Sequence, residues 1–120
     1  MKVVIFGGRN FHKIGFVWRA LDILHAKYNF TLVIDGKARG VDTLAHKWAL
    51  HNGIATVREP ADWDKYDKAA GPIRNELMIT KYKPDMGIAF PGGDGTSNMT
   101  QLCHAYGVEV KTVVPIPRKI

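Results

Sequence analysis

Five short, largely apolar runs, each separated from the next by a segment of helical period, constrain the fold of this chain most. The runs are Val3 to Phe6, Thr31 to Ile34, Ile54 to Val57, Met86 to Phe90 and Val110 to Val114. They are too short for helices, and their continuous apolarity suits strands buried on both faces. Between them, Phe16, Val17, Ala20, Leu21 and Leu24 recur at helical spacing within Ile14 to Tyr28. Leu44, Ala45, Trp48 and Ala49 form one face of Val41 to His51, which Asn52-Gly53 ends. Gly71-Pro72 opens a third helix that runs to about Lys81, with proline suited to its first turn. A fourth spans about Thr96 to Tyr106, and Gly107 stops it. Arg58 to Ala70 has no clear period and reads as a loop with one short turn. Strands alternating with helices predict an α/β fold: a Rossmann-like three-layer sandwich with a five-stranded parallel sheet and right-handed crossovers.

In such sheets ligands bind outside the carboxyl ends of the strands, near the reversal of strand order. The loops at those ends are the glycine- and charge-rich stretches of this chain. Pro91-Gly92-Gly93-Asp94-Gly95-Thr96 leads from an apolar strand into a helix. Its glycines permit positive φ and close backbone approach, and the helix start adds unpaired N–H groups, together an anion site. Gly7-Gly8-Arg9 follows the first strand and, paired with that loop across neighbouring strands, forms a second wall of one pocket. Gly36, Lys37, Arg39 and Gly40 place two cations between glycines, and Asp42 either caps the helix start or contacts a sugar hydroxyl. Arg74 supplies bidentate phosphate recognition, and Asn75 can hydrogen-bond a base or ribose. Trp63 and Tyr66 read as a lid over the core, or alternatively as stacking platforms.

The chain has 120 residues, the size of one domain, with 46% hydrophobic and 23% charged residues, a globular balance. Net charge is +6, which suits a polyanionic partner, yet the cations are scattered and the densest cluster is Arg118-Lys119. Apolar runs are too short to span a membrane, and the strand pattern starting at Lys2 leaves no room for a signal peptide. Cys103 stands alone in an apolar helical pattern and reads as a buried free thiol. These features predict a cytoplasmic protein. The five histidines lack metal-ligand spacing, so neither a metal nor a cofactor is expected. No nucleophile–base set can be assembled, which leaves the catalytic residues unknown.

These residues resemble the SLOG superfamily, named for the Smf/DprA and LOG proteins, and within it the small YspA-like, YpsA-related branch found in bacteria and phages. The matching stretches are Gly7-Gly8-Arg9, Gly36 to Asp42 with Ala45 and Trp48-Ala49, Pro60 to Trp63, Ala69 to Asn75 with Met78, and Phe90 to Thr96. They run in order along nearly the whole chain. The resemblance implies that residues 1–120 form a single SLOG-like nucleotide-binding domain. Its ligand would be a nucleotide-derived small molecule, ADP-ribose-like or cyclic-nucleotide-like, that is sensed or sequestered. It also implies a homo-oligomer.

One position departs from the LOG phosphoribohydrolases, which carry P-G-G-x-G-T-x-x-E with a catalytic glutamate. Met99 stands where that glutamate falls. Methionine can neither stabilise an oxocarbenium-like transition state nor activate water. The expectation is therefore a pocket that holds its ligand without cutting it. The alternative is a nucleotide hydrolase of the LOG type using Asp94 or Asp62. A third reading, ranked last for want of a basic cluster, is single-stranded nucleic-acid binding with Trp63 and Tyr66 stacking on bases.

Overall fold

The computed structural model describes residues 1–116, so the Arg118-Lys119 pair and Pro117 lie outside the described residues. The elements follow in the order β1 (Lys2–Phe6), α1 (Ile14–Tyr28), β2 (Leu32–Asp35), α2 (Val41–His51), β3 (Ala55–Arg58), α3 (Trp63–Tyr66), a 3₁₀ turn (Asp67–Ala69), α4 (Ala70–Tyr82), β4 (Met86–Ala89), α5 (Asp94–Ala105) and β5 (Glu109–Thr112). All strand pairings are parallel and the order is β3-β2-β1-β4-β5. This is a Rossmann-like three-layer α/β sandwich, and the strand order reverses between β1 and β4.

The apolar runs are explained by the layers. Val3 and Ile5 of β1 face one side, where Val17 and Leu21 of α1 and Val41, Ala45 and Trp48 of α2 cover them. Val4 and Phe6 face the other, where they meet Met78 and Ile79 of α4 and Met99 and Cys103 of α5. A strand clothed on both sides has no polar face to display, and alternation disappears. Gly87 lets α5 approach β4, since a Cβ there would stand 3.2 Å from Phe6 and 3.3 Å from the Cys103 sulfur. The Cys103 thiol is buried, and desolvation pushes its pKa up to about 11, so it belongs to the core.

Three readings change. The segment between β3 and α4 holds a helical turn at Trp63–Tyr66 followed by the 3₁₀ turn, with Asp62 accepting from the Lys65 amide at 3.1 Å as its cap. α5 starts at Asp94, two residues before the expected Thr96, which draws Gly95 and Thr96 into its first turn. β3 and β5 are edge strands, so Ala55, Glu109 and Thr112 are exposed; edges have a neighbour on one side only.

The loops at the carboxyl edge are stitched by the backbone of one residue. The Gly8 N–H donates to the Pro91 carbonyl at 2.8 Å, and the Gly8 carbonyl accepts from Val41 N at 3.3 Å. The β1–α1 loop is thereby tied to the β4–α5 loop on one side and to the start of α2 on the other. Gly40 makes the second tie sterically feasible. Its φ is 71°, and a Cβ there would collide with the Gly8 carbonyl oxygen. Gly53 has a similar φ of 66° with open space around it. Gly53→Ala is therefore expected to cost about 1–2 kcal/mol, from conformation alone. Gly40→Ala adds a backbone collision and should lose a further 1–3 kcal/mol, roughly the penalty of overpacking. Urea unfolding of both variants checks this, and equal losses would show that the Gly8 contact contributes nothing.

Candidate functional site

A cleft of about 550 Å³ opens where the strand order reverses. One wall is Gly7, Gly8 and Arg9 after β1; the opposite wall is Gly93, Asp94, Gly95 and Thr96 at the start of α5. α4 supplies Arg74, Asn75 and Met78, and α2 with its preceding loop supplies Asp42 and Ala38. Ten of the fifteen residues singled out from sequence thus line one cleft: Gly7, Gly8, Arg9, Asp42, Arg74, Asn75, Gly93, Asp94, Gly95 and Thr96.

The other five lie elsewhere. Gly36 and Arg39 line a neighbouring cavity together with Lys37. Gly40 and Pro91 hold the loops to Gly8 through the contacts described above. Gly92 is a packing glycine, because a Cβ there would strike the Thr96 hydroxyl and come within 2.8 Å of Gly8 N. The glycines of this loop also act differently from expectation. Among the described residues, positive φ at glycine occurs only at Gly40, Gly53 and Gly107. Gly93 and Gly95 are required neither by φ nor by packing, since a Cβ on either would meet nothing within 4 Å; both leave bare backbone facing the cleft.

Arg74 is the central cation. Its Nη1 donates to the Gly36 carbonyl and its Nε to Asn75 Oδ1 at 3.0 Å. A Cβ on Gly36 would press on this guanidinium at 2.5 Å, so glycine is required for the arginine to lie there. Burial pulls the Arg74 pKa below its ordinary value, Asp42 opposes that shift, and Arg9 adds to it. Among the described residues no carboxylate lies within 4.0 Å of its nitrogens. Asn75 is buried and donates to Asn98 Oδ1 at 3.0 Å and to the Gly95 carbonyl at 3.4 Å, linking α4 to the first turns of α5.

Asp42 does more than cap. Sitting in the first turn of α2 at 5% exposure, it accepts from the amides of Gly36 at 3.1 Å and Ala38 at 3.3 Å. The loop after β2 is wrapped around this carboxylate. Burial first, and the Asp35 carboxylate second, raise its pKa to about 6. Asp35 is fully buried, and burial raises its pKa too, against the Lys37 amide at 2.7 Å and Arg58 at 2.9 Å.

Trp63 is a wall of the cleft, 47% exposed, with the Arg9 guanidinium 5.1 Å from its ring centroid. The core-lid reading fails for it and for Tyr66, which is 39% exposed, because α3 buries none of its residues. Cleft residues that sequence reasoning missed are Phe6, Lys68 and Asn98, while Ala38, Gly71, Pro72 and Met78 lie in the stretches it singled out but were given no individual role in the site. Asn98 had a usable signal, standing one turn after the glycine loop. Lys68 had none, since its position depends on the irregular segment before α4. Met99 turns away from the cleft into the core between α5 and the sheet. Among the described residues no group of three or more His, Cys, Asp or Glu is placed to hold a metal, and no helix is long and apolar enough to cross a membrane.

A model of the YspA, cpYpsA-related SLOG family matches residues 1–66, a span that contains Gly7 to Arg9, Gly36 to Asp42 and Trp63. The chain is also similar to the Gene 61 protein of Mycobacterium phage D29, with 34% identity over 117 residues, covering 91% of this chain and 93% of that protein. The chain belongs to the YspA, cpYpsA-related SLOG family. Membership suggests a nucleotide-related function.

The Asp42 environment has a measurable consequence. With a folded pKa of about 6 against an ordinary 3.8, the fold favours the neutral carboxyl. That contribution is fully present below the unfolded value and is lost as pH rises through about 6. Asp42→Asn keeps an accepting oxygen and cannot ionise. Its stability relative to wild type should therefore rise by roughly 2 kcal/mol between about pH 4 and about pH 7. Urea unfolding across that range reads the difference, and a constant offset would contradict this assignment.

Proposed function

We propose that the cleft binds a nucleotide-derived small molecule, ADP-ribose-like or cyclic-nucleotide-like, and that the protein senses or sequesters it. The observation that carries this reading is Arg74. It is a largely desolvated guanidinium, hydrogen-bonded among the described residues only to neutral oxygens, set across a cleft from bare glycine backbone at a helix start. A half-buried cation with no carboxylate in ion-pair contact is costly, and an anionic ligand relieves that cost. In this reading phosphate oxygens lie on the Gly93, Gly95 and Thr96 amides, between Arg9 and Arg74. The Asn75–Asn98 amide pair and Asp42 meet ribose hydroxyls or a base edge, and Trp63 offers an aromatic face. Residues 1–120 then act as one ligand-binding unit, homo-oligomeric as the family resemblance implies and cytoplasmic as the composition suggests.

Asp42 also favours a second reading. A carboxyl with pKa about 6 in a cleft that contains Asp94 is suited to proton transfer, so hydrolysis of a nucleotide is the competing function. Asp62, considered for this role, is occupied in capping α3.

Calorimetry with ADP-ribose, cyclic ADP-ribose and common nucleotides is expected to find a binder. Arg74→Ala should weaken it about ten- to a hundredfold, the worth of a charge-assisted hydrogen bond. Absence of binding at millimolar concentrations to folded protein would overturn the proposal. Release of free base or ribose phosphate, abolished by Arg74→Ala, would replace it with the hydrolase reading.

A further inference from the structure

Beside the cleft, and sharing Arg9, Ala38, Trp63 and Arg74 with it, lies a second cavity of about 300 Å³. Four cations line it, Arg9, Lys37, Arg39 and Arg74, and no carboxylate does. Among the described residues none of the four makes an ion pair within 4.0 Å. The acids near these cations are hydrogen-bonded to other groups: Asp35 to Arg58, Glu59 to Lys81 and Tyr82, and Asp42, three residues after Arg39, to the Gly36 and Ala38 amides, from where it acts on Arg74 alone and only through space. Ordinary surface cations are dispersed and paired or freely solvated; converging four on one concavity builds a positive potential that has to be balanced.

Lys37 has φ 57°, a left-handed conformation that disfavours any residue with a side chain. Glycine would fit that turn without strain. The loop nevertheless presents a lysine there, exposed at the cavity, two residues before Arg39.

We propose that this cavity is a second anion compartment, and that the bound nucleotide carries a second phosphoryl group separate from the one over Gly93 to Thr96. The inference rests on the nucleotide reading of the first cleft. Arg9 and Arg74 stand between the two compartments and contact both anionic groups; Lys37 and Arg39 serve the second alone. A nucleotide with one phosphate fills the first compartment and leaves this charge unbalanced.

The test is calorimetry on wild type and on Lys37→Gln/Arg39→Gln protein, using the 5′-monophosphates of the four common nucleosides and the corresponding 3′,5′-bisphosphates. Equal unfolding midpoints for the two proteins establish that the substituted loop is intact, and Arg39→Gln alone serves if the double substitution lowers the midpoint. At least one bisphosphate is expected to bind wild type tenfold or more tightly than its monophosphate. The substitutions should remove that gain and change monophosphate affinity less than twofold. If no bisphosphate exceeds its monophosphate, or the gain survives the substitutions, the second compartment does not recognise anions and the proposal falls. Monophosphate binding in that case leaves the first-cleft reading standing, whereas failure of every nucleotide to bind wild type overturns both.

Discussion

The backbone of Gly8 is the constraint on which the rest of this structure depends. Its N–H holds the Pro91 carbonyl and its carbonyl holds the Val41 amide, so one residue joins the loops after β1 and β4 to the start of α2. No side chain can do this at such close range. Gly8 itself has no room for a Cβ, which would lie 2.9 Å from the Pro91 oxygen. Gly40 and Gly92 clear the space on either side. The parallel sheet brings these loops to one edge, and the Gly8 bonds fix their separation. The width of the cleft between Gly7–Arg9 and Gly93–Thr96 follows from that clamp.

On this frame the electrostatics run against stability. Asp42 is buried beside Asp35 and its pKa rises; Arg74 is half-buried beside Arg9 and its pKa falls. A core designed for stability alone would avoid both. Strained and desolvated groups concentrate at functional sites because ligand binding, and not folding, relieves them. The groups are also coupled: Asp42 supports Arg74, and the loop that wraps Asp42 supplies the Gly36 carbonyl that Arg74 holds. Loss of Asp42 would therefore disturb the placement of the cation as well as remove a carboxylate.

The fold was legible because burial on two faces leaves a direct trace: continuous apolarity in β1, β2 and β4, and helical spacing in α1 and α2, whose limits were read as Ile14–Tyr28 and Val41–His51. Most cleft residues were legible because glycine and arginine at strand ends serve few other purposes. What was not legible depends on tertiary contact. The roles of Gly92 and Gly40 are set by atoms of Gly8, far away in sequence, and no local pattern reports them. Arg39 lies in the same motif as Asp42, yet one residue turns into the cleft and the other onto the second cavity. Trp63 and Lys68 reach the cleft only through the geometry of an irregular segment. Met99, chosen by alignment with a catalytic position, serves the core as an ordinary apolar residue of α5.

The central claim is that the bare backbone at the start of α5, facing Arg74, receives the ligand's phosphate. The most direct measurement is a two-dimensional amide NMR titration of the ¹⁵N-labelled protein with ADP-ribose. The account predicts that the largest shifts fall on the amides of Gly93, Gly95 and Thr96, with Gly8 following through its bond to Pro91. Shifts confined to other surfaces, with these four amides unmoved at saturation, would contradict it.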